Sequence, residues 1–153
     1  KAQGAAAADP KKTSAVSGVP RSLPGLQRAS RIQEKAARVG FDWDRPEDVA
    51  AKVREEVEEF LEHVGADSAH GAAGALNAEA MEEEFGDLLF ALVNMSRFIN
   101  VRAEEAMEKA CNKFMRRFMS IEQMADAQSK HLKDMTLPEM DVLWEKVKAQ
   151  ERA

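Results

Sequence analysis

The stretch from Met81 to Val93, MEEEFGDLLFALV, decides the fold. Its first half is acidic, and after Asp87 the run Leu88-Leu89-Phe90-Ala91-Leu92-Val93 is apolar around nearly the whole circumference of a helix. A segment of this kind, starting at about Ala78, is expected at the centre of a helical bundle, the most buried helix of the chain. The apolar run is far short of the ~20 residues that a bilayer crossing requires, so no membrane span is expected.

Composition agrees with an all-α class. Tyr is absent, and the chain contains eight Gly and five Pro, most of them before residue 47 or between 65 and 74. The remainder is dominated by Ala, Glu, Lys, Arg, Met and Leu, side chains that lose little on entering a helix. At 153 residues one domain is expected, and the net charge of −5 argues against nucleic acid as a partner. The single cysteine, Cys111, cannot form an internal disulfide and points to a reducing compartment, the cytoplasm. The first residue is Lys1 rather than Met, as in a fragment or a processed chain.

Outward from the central segment, residues 1–22 mix Ala, Gly, Ser, Pro and Lys without an apolar period and read as a linker or disordered tail. A first helix is expected from Leu26 to Val39, with Ile32, Ala36 and Val39 at helical spacing and Gly40 as a left-handed cap. Phe41 to Pro46 is then a connection expected to pack through its two aromatics. A second helix runs from about Glu47 to Val64, because Val49, Val53, Val57, Phe60 and Val64 define one apolar stripe. Residues 65–77 (GADSAHGAAGALN) read as a flexible loop. A fourth helix is expected from near Val101 past Phe118, with Met107, Ala110, Phe114 and Ile121 inward. Thr136 and Glu139 have the form of a capping box for a last helix reaching about Gln150. The architecture expected is an all-α bundle of four to five helices.

The polar residues of the second helix are informative by angle. Lys52, Glu56, Glu59 and His63 form a stripe roughly a quarter-turn from the apolar one, whereas Glu55, Glu58 and Glu62 point to solvent. Glu56 and Glu59 therefore border the core, at the same spacing as Glu84 and Asp87 on the third helix. Side chains three apart on a helix are neighbours, so two antiparallel helices can direct four carboxylates at one ion. Oxygen-only ligands select Mg²⁺, with Mn²⁺ possible, over zinc. Taken alone, an ExxE is more often a solvated helix face than a ligand pair. Both pairs here border apolar stripes, and basic residues that suit phosphate follow downstream. A di-iron carboxylate centre would need Glu-x-x-His pairs, and none is present. Cys111 has no acid and His framework for nucleophilic catalysis and reads as a small core residue. Met107, Met115, Met119 and Met124 read as helix packing.

At this point a resemblance appears. Lys35-Ala36-Ala37-Arg38-Val39-Gly40-Phe41-Asp42-Trp43, Glu55-Glu56-Val57-Glu58-Glu59, Glu82-Glu83-Glu84-Phe85-Gly86-Asp87 and Asn112-Lys113-Phe114 with Arg116-Arg117-Phe118 follow in this order. In this combination they resemble the MazG family of all-α nucleoside triphosphate pyrophosphohydrolases, over residues 23–153, including Leu143 to Lys148. The segment looks most like the C-terminal catalytic half of a tandem protein, with residues 1–22 as the inter-half linker.

The resemblance implies hydrolysis of nucleoside triphosphates to monophosphate and pyrophosphate, with Mg²⁺ on Glu56, Glu59, Glu84 and Asp87. It brings Lys52 and Glu83 to the site, Lys113 and Arg117 to the triphosphate, and Trp144 and Lys148 to the nucleotide. Trp144 has a plain core-anchor reading beside this. Glu59 and Glu83 are alternatives for activating water. A lysine common in the family four residues before the third ligand is here Ala80. The resemblance also implies a homodimer whose subunits share a bundle. A narrower dUTP, dCTP or phosphoribosyl-ATP pyrophosphatase, or a non-enzymatic helical interaction module, are the other functions this sequence admits.

Overall fold

The computed structural model describes residues 14–69 and 74–152. Among them every regular element is helical: α1 (Gly25–Ala37), α2 (Pro46–Ala69), α3 (Gly74–Phe98), α4 (Ala103–Asp126), a single 3-10 turn (Leu132–Asp134) and α5 (Leu137–Gln150). The chain divides into two compact units, residues 1–104 and residues 105–153.

In the first unit, Pro46 opens α2, with Glu47 and Asp48 in the first turn where the helix dipole favours acid. Central to this unit is α3, which packs on both α1 and α2. Val49 of α2 and Val93 of α3 are almost wholly buried, and the Phe60 and Phe85 rings meet at 5.5 Å between centroids. Gln33 Nε2 donates to the Phe90 carbonyl at 2.8 Å, tying α1 to α3. The backbone N–H of Gln27, in the first turn of α1, donates to Glu104 Oε2 at 3.2 Å and so gains the acceptor that a helix start lacks.

α1 ends as its glycine requires. Gly40 has φ +88°, Phe41 N–H donates to the Ala36 carbonyl and Gly40 N–H to that of Ala37, the paired bonds of a Schellman cap. The same pair of bonds closes α3 at Asn100 (φ 55°) and α4 at Ser129 (φ 58°), two ends without glycine.

The second unit closes on Ile121, Ala125, Leu143 and Val147, with Met124, Leu132, Met135 and Trp144 against them. α5 begins with the expected capping box: Thr136 N–H and Oγ1–H both donate to Glu139 Oε2, at 2.8 and 2.9 Å.

Several expectations are corrected. The interruption between the second and third helices is much shorter than residues 65–77, because α2 continues to Ala69 and α3 starts at Gly74. The Ala-rich flanks carry the helix through Gly65, whose cost of ~1 kcal/mol relative to Ala one position can bear. Residues 70–73 lie outside the described residues, as do residues 1–13 of the expected tail. Of the remainder of that tail, residues 14–17 form a turn whose Ser17 carbonyl accepts from Lys35 Nζ at 2.8 Å. Phe41 does not pack, being 83% exposed. The apolar run of α3 is not enclosed all round: Ala91 and Val93 are buried, whereas Phe90 and Leu92 are nearly half exposed. On α4 only Ile121 of the expected inward stripe is buried; Met107, Ala110 and Phe114 are exposed, and so is Cys111, which is not a core residue. Met115 and Met119 are exposed as well, and only Met124 of that set lies against the core. A helical period identifies a shared face but not whether a neighbour covers it.

Candidate metal centre

The middle of α2 and the middle of α3 meet through their acidic residues. One carboxylate oxygen from each of Glu56, Glu84 and Asp87 lies within 4.8 Å of the other two. Glu56 is buried, Glu84 half-buried and Asp87 exposed, so the group is graded from the interior to solvent. Three like charges this close repel unless a cation or a proton intervenes. The donor set is oxygen only, which fits a hard divalent ion such as Mg²⁺ or Mn²⁺.

A cation already faces the buried member. Lys52, one turn before Glu56, places Nζ 2.6 Å from Glu56 Oε1 and 2.7 Å from Glu55 Oε1. Its hydrogen bonds to Glu55 and Glu56 raise the ammonium pKa above the ordinary lysine range. Glu59 is not among the three that converge; it lies exposed on the next turn of α2. Its pKa is nonetheless raised, by partial desolvation first and then by the negative field of Glu56, with Glu84 adding to it. Glu83 is exposed beside Glu84, and Ala80, half-buried one turn earlier, offers no cation.

A cavity of about 790 Å³ opens onto this centre, with Lys52, Glu56 and Asp87 in its wall. The rest of its lining comes from Val16 in the turn before α1, from α1, from the connection after it and from the second half of α3. It is mainly apolar, through residues such as Ile32, Ala36, Trp43 and Phe90, with a polar part made by Asp42, Asn94 and Arg97. Arg97 Nη2 pairs with Asp42 Oδ2 at 2.8 Å, and its Nη1 donates to Asn94 Oδ1 at 2.5 Å. None of these residues stands out in the sequence as a site residue. The one available signal is Gln33, a polar side chain among the apolar positions Ile32 and Ala36, and it is buried.

The remaining sequence-derived site residues belong to the second unit. Arg117 donates through Nε and Nη2 to Glu151 Oε2, at 2.9 and 2.6 Å. That pairing pushes the arginine further up and holds Glu151 below the usual carboxylate range. The Arg117 guanidinium lies 5.7 Å from the centre of the Trp144 ring, which meets the Phe114 ring at 5.4 Å. Trp144 is thus half-buried against the core while offering a face to a cation. Lys148 pairs with Glu145 at 2.7 Å, and Lys113 is exposed. The Nε and Nη2 donors of Arg117 are therefore held by a carboxylate. No helix among the described residues is long and apolar enough to cross a membrane.

Residues 44–120 match the family model described as the MazG nucleotide pyrophosphohydrolase domain. The chain is 41% identical over 138 residues to a Thermotoga maritima protein named nucleoside triphosphate pyrophosphohydrolase/pyrophosphatase MazG, covering 90% of this chain and 49% of that one. It is 42% identical over 139 residues to the Escherichia coli K12 nucleoside triphosphate pyrophosphohydrolase, covering 90% of this chain and 50% of the relative. The chain thus spans about half the length of the curated relatives it matches.

Proposed function

Because this chain belongs to the MazG nucleotide pyrophosphohydrolase family, we propose that it hydrolyses nucleoside triphosphates to nucleoside monophosphate and pyrophosphate. The observation that carries the reading is the convergence of Glu56, Glu84 and Asp87 within 4.8 Å beside a cavity large enough for a nucleoside. These three carboxylates hold Mg²⁺, with Glu59 as the fourth candidate from the next turn. When bound, the ion supplies charge neutralisation and orientation for the phosphate oxygens.

In the reaction, water attacks the α-phosphorus, the bond to the bridging oxygen breaks, and pyrophosphate leaves. Glu59 and Glu83, exposed carboxylates beside the centre, are the two candidates to orient water and take its proton. Lys52 lies on Glu56 and is within reach of a phosphate brought to that carboxylate. Lys113 and Arg117 complement the charge on the leaving group, and Trp144 and Lys148 contact the nucleotide, as the family resemblance implies. The loss of a lysine at Ala80 leaves this phosphate work to the other cations. The apolar side chains left half-exposed on α2 and α3, Leu61, Phe85 and Leu92, are the surface a second copy of the chain would cover in a homodimer. The cytoplasm is the compartment in which this chemistry and the free thiol fit.

The test is a nucleotide panel with Mg²⁺, with the products identified. Turnover of several triphosphates to monophosphate and pyrophosphate is expected, and folded Glu59→Gln and Asp87→Asn variants should lose about 100-fold or more. Turnover of a single nucleotide indicates a narrower pyrophosphatase on the same scaffold. Absence of turnover, or full activity in both variants, overturns the assignment.

A further inference from the structure

The connection from Arg38 to Arg45 joins α1 to α2 without a buried residue, so core packing does not fix its course. It nevertheless carries Trp43 into the cavity wall, where that residue is still 45% exposed. The Gly40 cap sets the first end of the connection and reaches no further than Phe41. What holds the next residues comes from far along the chain. Asp42 Oδ1 accepts the Trp43 backbone N–H at 3.0 Å. The same carboxylate takes both terminal nitrogens of Arg97, Nη2 on Oδ2 at 2.8 Å and Nη1 on Oδ1 at 3.5 Å. Arg97 is itself aimed from the last turn of α3. Its Nη1 donates to Asn94 Oδ1 at 2.5 Å, and its guanidinium lies 5.9 Å from the centre of the Phe98 ring. The Arg97 and Asp42 side chains are 16% and 28% exposed, which shields the pair more than an ion pair on an open surface. A forked guanidinium on a carboxylate fixes angle as well as distance. One carboxylate thus ties the backbone of Trp43 to the end of α3.

We propose that Asp42 and Arg97 are positioning residues: their ion pair holds Trp43 ready in the cavity wall, and they act on turnover only through it. The inference rests on the triphosphate reading given above. A side chain ordered before the substrate arrives does not have to be ordered on binding, so the pair lowers KM and leaves the chemical step alone.

The experiment reads the motion of Trp43 and the kinetics separately. Trp43 and Trp144 are the two tryptophans of the chain, so in a Trp144→Phe background fluorescence anisotropy decay, without nucleotide, reports Trp43 alone. Kinetics with ATP and GTP in Mg²⁺ use chains that keep Trp144. In Arg97→Met and in Asp42→Asn, Trp43 is expected to depolarise faster. KM for ATP and GTP should rise about three- to tenfold, with kcat within about twofold of wild type. The double variant should be no worse than either single one, because both remove the same interaction. Arg97→Lys, which keeps the charge without the fork, should fall between. Mn²⁺ affinity should not change. Asp42→Asn lies on an exposed connection and keeps an oxygen for the Trp43 N–H, so it tests the pair even where Arg97→Met does not fold. Unchanged Trp43 motion in the folded variants overturns the inference, and so does an unchanged KM. A fall in kcat at constant KM places the pair in the chemistry, and a parallel loss of Mn²⁺ affinity makes it a support of the fold; either result overturns the proposal. A wild type that turns over no nucleotide overturns the triphosphate reading and the effect on KM together, whereas the anisotropy still decides whether the pair holds Trp43.

Discussion

Lys52 Nζ lies 2.6 Å from the Oε1 of Glu56, one turn further along α2, and it is the cation facing the most buried carboxylate of the candidate centre. A carboxylate 6% exposed that loses its partner keeps the desolvation cost without the compensation. Lys52→Met should therefore destabilise the metal-free protein by about 1–3 kcal/mol. Thermal unfolding with and without Mn²⁺ checks this: the deficit is expected in chelator and should narrow when the ion is added, since ligand binding to the native state adds stability. An equal deficit under both conditions would mean that Lys52 and the ion do not share Glu56. The sign with pH follows from the direction of the lysine shift. Its native pKa is raised above 10.5, so the contribution is complete below that value and is lost only as pH climbs through the raised value.

The turn after α1 gives a cleaner backbone test. A Cβ added at Gly40 would meet nothing within 4 Å, so Gly40→Ala costs only what an L side chain pays at φ +88°. Destabilisation of about 1–2 kcal/mol is expected, measured by urea unfolding with an unchanged slope. A neutral result would show that Phe41 and Trp43 are presented by some other means than this cap.

The start of α5 supplies a pH dependence. The Thr136 backbone N–H, then its hydroxyl, hold Glu139 below the ordinary carboxylate value of 4.5. A lowered native pKa means stability that is fully present above the ordinary value and is lost as pH falls through the native one. The melting temperatures of wild type and Glu139→Ala should therefore differ most near neutrality and converge as the solution is acidified below about pH 4. A gap that stays constant down to pH 3 would assign the effect to packing rather than to the charged cap.

Much of this was legible before the structure, for identifiable reasons. The all-helical class, the Gly40 cap and the Thr136–Glu139 box are local rules, settled by residues within a few positions of one another. The carboxylates required only one further step, because an i, i+3 pair on each of two helices can converge if the helices touch. Three of the four residues chosen on that ground, Glu56, Glu84 and Asp87, do come within 4.8 Å, while Glu59 stays exposed one turn away. The cavity was not legible. Asp42 and Arg97 are far apart in the chain, and nothing local in either says that they meet at 2.8 Å to shape its polar part. Burial is not legible in the spacing for a related reason. Met107, Phe114 and Leu92 have the spacing of core residues, but spacing describes one helix, and exposure depends on what lies opposite.

The central claim is that Glu56, Glu84 and Asp87 together hold one divalent cation, and its most direct measurement is Mn²⁺ binding followed by electron paramagnetic resonance, without nucleotide. The account predicts a bound ion in the wild type and an affinity at least about tenfold weaker in folded Asp87→Asn, since one charged oxygen ligand has become a neutral amide. Equal Mn²⁺ affinity in the two folded proteins would contradict it.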